Sequence, residues 1–144
     1  MQEAMLQSIL KDWFRRKGYR TSENVIMPAG NSIDLVAKSE QEEWLIEIKG
    51  DYEKLTSQYN TNFDTGIGQI LKSVDHLDAK TKYAICIPYS STERGEKFSY
   101  RLILPKYSKT IMFEKLNIHL ILVRNDRSVE IIEPLHVKDF LSKV

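Results

Sequence analysis

The sequence predicts an α/β fold in which a central mixed β-sheet is flanked by helices, in the order αβββαβ, followed by a helical segment and a C-terminal β-hairpin. Three observations predict it. A helical apolar stripe opens the chain, three apolar runs divided by short polar turns follow before residue 50, and helical and strand-like segments then alternate to the end. At 144 residues the chain is long enough for one sizeable core and too short for two ordinary domains, so a single domain over 1–144 is expected.

Residues 2–17 read as a helix because Met5, Leu6, Ile9, Leu10, Trp13 and Phe14 recur at helical spacing. Arg15, Arg16 and Lys17 complement the dipole at its end, and Gly18 is placed to stop it. Tyr19 to Met27 reads as a first strand, and Pro28-Ala29-Gly30-Asn31 as a turn. Ile33-Asp34-Leu35-Val36-Ala37 and Trp44-Leu45-Ile46-Glu47-Ile48-Lys49 read as two strands joined by the polar turn Ser39 to Glu43, which completes an antiparallel meander. Gly50 to Asp64 is polar and lacks sustained periodicity, so a long functional or mobile connector is expected, its Tyr52, Tyr59 and Phe63 free to stack on bases, meet a partner or tack it to the core.

A second helix is expected from Asp64 or Thr65 to about Leu77, with Ile67, Ile70, Leu71, Val74 and Leu77 as its buried stripe. Gly66 and Gly68 weaken its first turn, which suggests a close approach of backbone to something there. Tyr83 to Pro88 reads as a buried strand and Tyr89 to Glu96 as a polar loop. Two helical pieces, Gly95 to Leu104 and Ser108 to Leu116, are expected on either side of Pro105. Ile118 to Val123 and Val129 to Ile132 form a hairpin around Arg124-Asn125-Asp126-Arg127, and a short helix over Val137 to Leu141 closes the chain.

Composition excludes several classes of protein. Hydrophobic residues at 42% with 28% charged residues argue against disorder, and no apolar run approaches the roughly 20 residues that span a bilayer. MQEAMLQSIL has neither the basic region nor the cleavage site of a signal peptide, so a cytoplasmic protein without membrane partners is expected. A lone cysteine, Cys86, sits in an apolar strand and reads as an inert core residue. The net charge of +1 announces no nucleic-acid binding. Residues 1–71 hold 8 basic and 11 acidic side chains and residues 72–144 hold 13 and 9, an asymmetry that a solvated surface explains almost as well. His119 and His136 have no cysteine or second histidine at ligand spacing, which argues against zinc, and no nucleophile elbow or phosphate-binding glycine loop is present.

Charge inside two strands is the anomaly. Asp34, Glu47 and Lys49 interrupt segments apolar enough to be buried, and buried charge is costly unless it is paired or holds a metal. Alternation puts Glu47 and Lys49 on one face, about 6.6 Å apart along the strand. Trp44, Ile46 and Ile48 then face the other way, and a neighbouring strand can bring Asp34 beside Glu47.

Ser32-Ile33-Asp34, followed by Glu47-Ile48-Lys49 on the next strand, resembles the signature of the PD-(D/E)xK nuclease superfamily, an acid opening one core strand and an acid-x-lysine on the next. The Pro-Asp dipeptide is absent, Ile33 standing where the proline would be. The likeness extends over roughly residues 3–90. It implies a restriction-endonuclease-like core, a helix-1 site residue for which Glu3 or Gln7 stands, and a glutamine on the second helix, for which Gln69 stands. The tyrosine expected one turn later is replaced by Ser73.

The resemblance implies a metal-dependent DNA endonuclease. Asp34, Glu47 and the Ile48 carbonyl are hard oxygen ligands that suit Mg²⁺ or Mn²⁺, with Glu3 extending the metal shell through a water. Lys49 orients the attacking water or stabilises transition-state charge, and Gln69 holds the phosphate or Lys49. Lys72, Arg94, Lys97 and Arg101, together with Lys106 and Lys109, are candidates for phosphate contact, each also readable as a solvated charge. A homodimer is expected for duplex cleavage, and the absence of an added specificity domain favours structure-selective or partner-directed cutting, in a resolvase, repair, mobile-element or restriction context. The alternatives are a non-catalytic nucleic-acid-binding or assembly subunit with the same fold, and an unrelated α/β domain in which Glu47 and Lys49 form a structural ion pair.

Overall fold

A computed structural model describes residues 1–51, 56–89 and 100–144. The chain forms α1 (Glu3–Arg16), β1 (Arg20–Ile26), β2 (Ser32–Lys38), β3 (Glu43–Ile48), α2 (Thr56–Ser73) and β4 (Thr81–Pro88). Two 3-10 segments, Tyr100–Leu102 and Leu104–Lys109, lead into α3 (Met112–Lys115), β5 (Ile118–Val123), β6 (Val129–Ile132) and α4 (Pro134–Lys143). This is the α/β architecture expected.

The six strands lie in sequence order, β1 to β6. The pairs β1–β2, β2–β3 and β5–β6 are antiparallel, whereas β3–β4 and β4–β5 are parallel. Parallel neighbours need crossovers, and two right-handed crossovers stepping in the same direction fall on the same face. Accordingly α2 and the segment 100–115 share one layer with α4, where Tyr59, Phe63, Ile67, Ile70, Tyr100, Leu104, Phe113, Val137 and Leu141 pack on Leu45, Tyr83, Ile85 and Leu120. On the opposite face α1 lays Leu6, Ile9, Leu10 and Phe14 onto Leu35, Ala37, Trp44, Ile46, Ile48 and Cys86. Cys86 is fully buried, as an inert core cysteine should be.

Three expectations are corrected. The polar stretch up to Asp64 is not all connector, because α2 begins at Thr56 and buries Tyr59 and Phe63 completely. Those rings therefore belong to the core. Tyr52 lies outside the described residues. Helix α2 also stops at Ser73, four residues short of Leu77; Leu71 and Leu77 are exposed, and only Ile67, Ile70 and the partly buried Val74 of the expected stripe pack inward. The expected loop after Tyr89 and the expected helical piece before Tyr100 lie outside the described residues, and Pro105 is not a break but sits in the first turn of Leu104–Lys109, where its missing N–H costs nothing.

The meander turns are held as their residues suggest. Gly30 adopts φ 88°, with its N–H on the Met27 carbonyl, and the Ser39 and Glu42 main chains close the second turn. Around that turn Glu42 accepts hydrogen bonds from Tyr19 Oη, from Trp44 Nε1 at 2.9 Å and from Lys82 Nζ at 2.7 Å, tying α1's exit, β3 and β4 together. Burial pushes the Glu42 carboxyl up, but the bonds from Lys82, Tyr19 and Trp44 outweigh it and hold the pKa at about 2. Glu42→Gln is therefore expected to cost roughly 1–3 kcal/mol at neutral pH. A depressed carboxyl contributes stability above its unfolded pKa and loses it as pH falls toward the folded value. The gap between parent and variant in urea unfolding should thus close between pH 4.5 and about 2.

Candidate active site

The site is built where β2 and β3 part. Their ladder runs from Lys38↔Glu43 to Leu35↔Ile46 and goes no further, so Asp34 and Glu47 face each other one step beyond the last pair. Strand β2 turns over at this point. Ile33 packs with the α2-side core while Leu35 and Ala37 pack with the α1-side core, although plain alternation would put all three on one face. Opposite it, Asn24 of β1 takes φ 51°, between the pairs Glu23↔Leu35 and Val25↔Ile33.

With the ladder ended, a side chain replaces the missing main-chain acceptor. Asp34 Oδ2 accepts the Ile48 N–H at 2.7 Å, and Gln7 Nε2 of α1 donates to the Asp34 carbonyl at 2.7 Å. Lys49 N–H donates to the Cys86 carbonyl of β4 at 2.9 Å. In a trans peptide the carbonyl points opposite to the N–H, so the Ile48 carbonyl is directed away from β4, toward the β2 side where Asp34 lies.

Glu47 is 4% exposed, on the α2 face of the sheet. Its Oε1 lies 3.6 Å from Lys49 Nζ, while its Oε2 is buried with no hydrogen-bond partner. Burial pushes its carboxyl up, as do the charge of Asp34 and a hydrogen bond with it; Lys49 pulls down and Glu3 adds a little upward, giving a pKa of about 8. With its carboxyl raised that far, Glu47 holds its proton at neutral pH. The Lys49 ammonium alone does not offset the burial of Glu47 and the charge of Asp34.

The chain leaving β3 is fixed from several sides. Tyr100 Oη donates to the Gly50 carbonyl at 2.8 Å, the Asp51 N–H to the Met1 carbonyl at 2.8 Å, and the Met1 amino group pairs with the Asp51 carboxylate. A β-carbon on Gly50 would lie 2.7 Å from the Glu3 nitrogen, so only glycine lets the start of α1 approach the site.

The sequence-predicted residues divide accordingly. Asp34, Glu47, Ile48 and Lys49 come together. Glu3 is exposed at the start of α1 and acts on Glu47 through its field; among the described residues no group of three or more acidic, histidine or cysteine side chains is assembled for a metal. Gln69 is on α2, its Oε1 buried without a partner and its carbonyl accepting from Asn31 Nδ2 at 3.2 Å. Ser73, in the place of the absent tyrosine, accepts from Asn31 Nδ2 at 2.9 Å and so helps fasten α2 to the turn before β2. Lys72 is exposed on α2, and the Arg101 guanidinium lies 4.9 Å from the Tyr89 ring centre. Arg94 and Lys97 lie outside the described residues. His119 is buried against Trp44 with Nδ1 at the Tyr83 carbonyl, a packed core histidine.

The close backbone approach expected at Gly66 and Gly68 is found at Gly66 alone, and in the interior of α2, not its first turn. A β-carbon there would stand 3.2 Å and 3.3 Å from Lys49 Cγ and Cε. Two glycines inside a helical pattern carried that signal, but nothing in the pattern chose between them.

No family model and no curated protein matches the sequence. Among solved structures the chain is similar to the crystal structure of an XisH family protein from Nostoc punctiforme PCC 73102, at 14% sequence identity and a TM-score of 0.55, over 86% of this chain and 94% of that one. Likeness at that identity speaks to fold, and the six-stranded mixed sheet flanked by helices accords with a restriction-endonuclease-like core. Among the described residues no helix is long and apolar enough to cross a membrane.

Proposed function

We propose that the protein is a metal-dependent endonuclease that hydrolyses DNA phosphodiester bonds, with a PD-(D/E)xK site. The observation that carries the reading is Glu47, a buried acid with one unpartnered oxygen, set opposite Asp34 where the strands part and 3.6 Å from the Lys49 ammonium. Asp34, Glu47 and the Ile48 carbonyl are an all-oxygen donor set that fits Mg²⁺ or Mn²⁺ in place of the proton on Glu47. When bound, such a cation polarises a phosphate oxygen and makes hydroxide available near neutral pH.

The protein's own groups supply the rest. Asp34 has two tasks, since the oxygen that accepts the Ile48 N–H also fixes its carboxylate against the end of β3. Lys49 places a positive charge where negative charge develops on the phosphate and can orient the water that attacks it. Gln69 offers its amide N–H to the phosphate or its buried Oε1 to Lys49, while Lys72 and Arg101, with Arg94 and Lys97, add sequence-independent contacts to the DNA backbone. With one site per chain, cutting both strands takes two copies, hence a homodimer.

The test is incubation with linear, supercoiled, single-stranded and four-way-junction DNA in Mg²⁺ or Mn²⁺, beside Lys49→Ala. Cation-dependent cutting is expected, lowered by about 100-fold or more in the variant. Equal cutting by both proteins would trace the activity to a contaminant. A second reading, a non-catalytic nucleic-acid-binding or assembly subunit, is favoured by the lack of a three-side-chain ligand group among the described residues. Calorimetry separates the two, because tight DNA binding without Mg²⁺ or Mn²⁺ binding would favour the subunit.

A further inference from the structure

Helix α2 contains two glycines two residues apart, and glycine inside a helix is less stable than alanine. A β-carbon at Gly68 would meet nothing within 4 Å, so no close contact requires that glycine. At Gly66 the same atom would lie 2.8 Å from Ile85 Cδ1, 3.2 Å from Lys49 Cγ and 3.3 Å from Lys49 Cε. Carbon atoms pack comfortably at about 3.5–4.0 Å. Touching both Cγ and Cε means that the lysine stem runs along the helix backbone here, instead of meeting it only at its tip.

We propose that Gly66 is a positioning residue for Lys49: its bare backbone is the wall along which the lysine stem lies, and that wall delivers Nζ beside Glu47. The inference rests on the nuclease reading, in which Lys49 acts on the reacting phosphate. A lysine has four side-chain torsions, and an ammonium useful in a transition state must be held in one arrangement before the substrate arrives. The stem is only 13% exposed, and the ammonium stands at ion-pair distance from Glu47 without a close hydrogen bond to it, so the packing of the stem decides where the charge sits. Alanine at position 66 moves either Lys49 or Ile85, and the two outcomes are separable.

The test compares Gly66→Ala, Gly66→Ala with Ile85→Val, and Gly68→Ala by two readouts. Lys49 side-chain ¹³C shifts and contacts from its methylenes to residue 66 are followed by NMR, and single-turnover DNA cleavage is measured beside DNA affinity. Gly66→Ala should shift the Lys49 resonances and slow cleavage by about 10- to 100-fold with affinity nearly unchanged, and Gly68→Ala should do neither. Removing Ile85 Cδ1 in the double variant should restore the melting temperature but not the rate, and keeps the comparison open if the single variant fails to fold. Unmoved Lys49 resonances, or a double variant that recovers its rate, would overturn the proposal. A parent that cuts no DNA would sink the nuclease reading, while the NMR comparison still decides whether Gly66 holds Lys49.

Discussion

Asp34→Ala is expected to lower cation-dependent DNA cleavage by about 1,000-fold or more and to remove Mg²⁺ or Mn²⁺ binding from calorimetry. Two losses combine in it. On the proposed function one of two carboxylate ligands is lost, and the Ile48 N–H loses the acceptor that replaces the ended β2–β3 ladder. A buried donor left without a partner costs about 1–3 kcal/mol, so the alanine variant is also expected to melt earlier. Asp34→Asn separates the effects. Its amide oxygen can still accept the Ile48 N–H, which should restore most of the melting temperature, but it carries no charge for the cation, so cleavage should stay low. An asparagine variant that cuts like the parent would remove Asp34 from the ligand set and leave it a purely structural cap on β3.

How much of this was legible in the sequence follows from what each element depends on. Helix α1, the three-strand meander, β4 and the hairpin depend on local periodicity and turn chemistry, and they fall within a few residues of their expected bounds. The start of α2 does not. Asn60, Thr61 and Asn62 are poor helix formers lying between Tyr59 and Phe63, and they hide a stripe that the two rings begin and Ile67 and Ile70 continue. Packing supplied what propensity lacked. Beyond Pro105 the same thing happens in reverse, because a residue read as a break serves as the first turn of a 3-10 segment.

The charged residues of the site were visible because they violate the apolar pattern of two buried strands. Their relation was not. That Asp34 caps Ile48 depends on β2 turning over after Ile33, opposite Asn24 with its positive φ, and no local pattern announces that. That Gly66, and not Gly68, meets Lys49 depends on the rotation of α2 over the sheet, which no periodicity within the helix could give.

Glu47→Gln is expected to flatten a pH dependence of stability that the parent protein shows without divalent cation. An acid whose folded pKa is raised, here from 4.5 to about 8, keeps its proton in the fold while the unfolded chain releases it. Stability is then unaffected below 4.5, falls as pH rises through the interval, and levels off above about 8, by a few kcal/mol at most. Urea unfolding between these limits should show that decline in the parent and lose most of it in the glutamine variant, which has no proton to release. Saturating Mg²⁺ or Mn²⁺ should reverse the sign in the parent alone, because a cation takes the deprotonated pair and gains affinity as pH rises. A parent whose stability is level across the interval would mean that burial and the charge of Asp34 do not hold a proton on Glu47. One whose decline persists in saturating cation would mean that the pair is a structural one, with Lys49 its sole counter-charge.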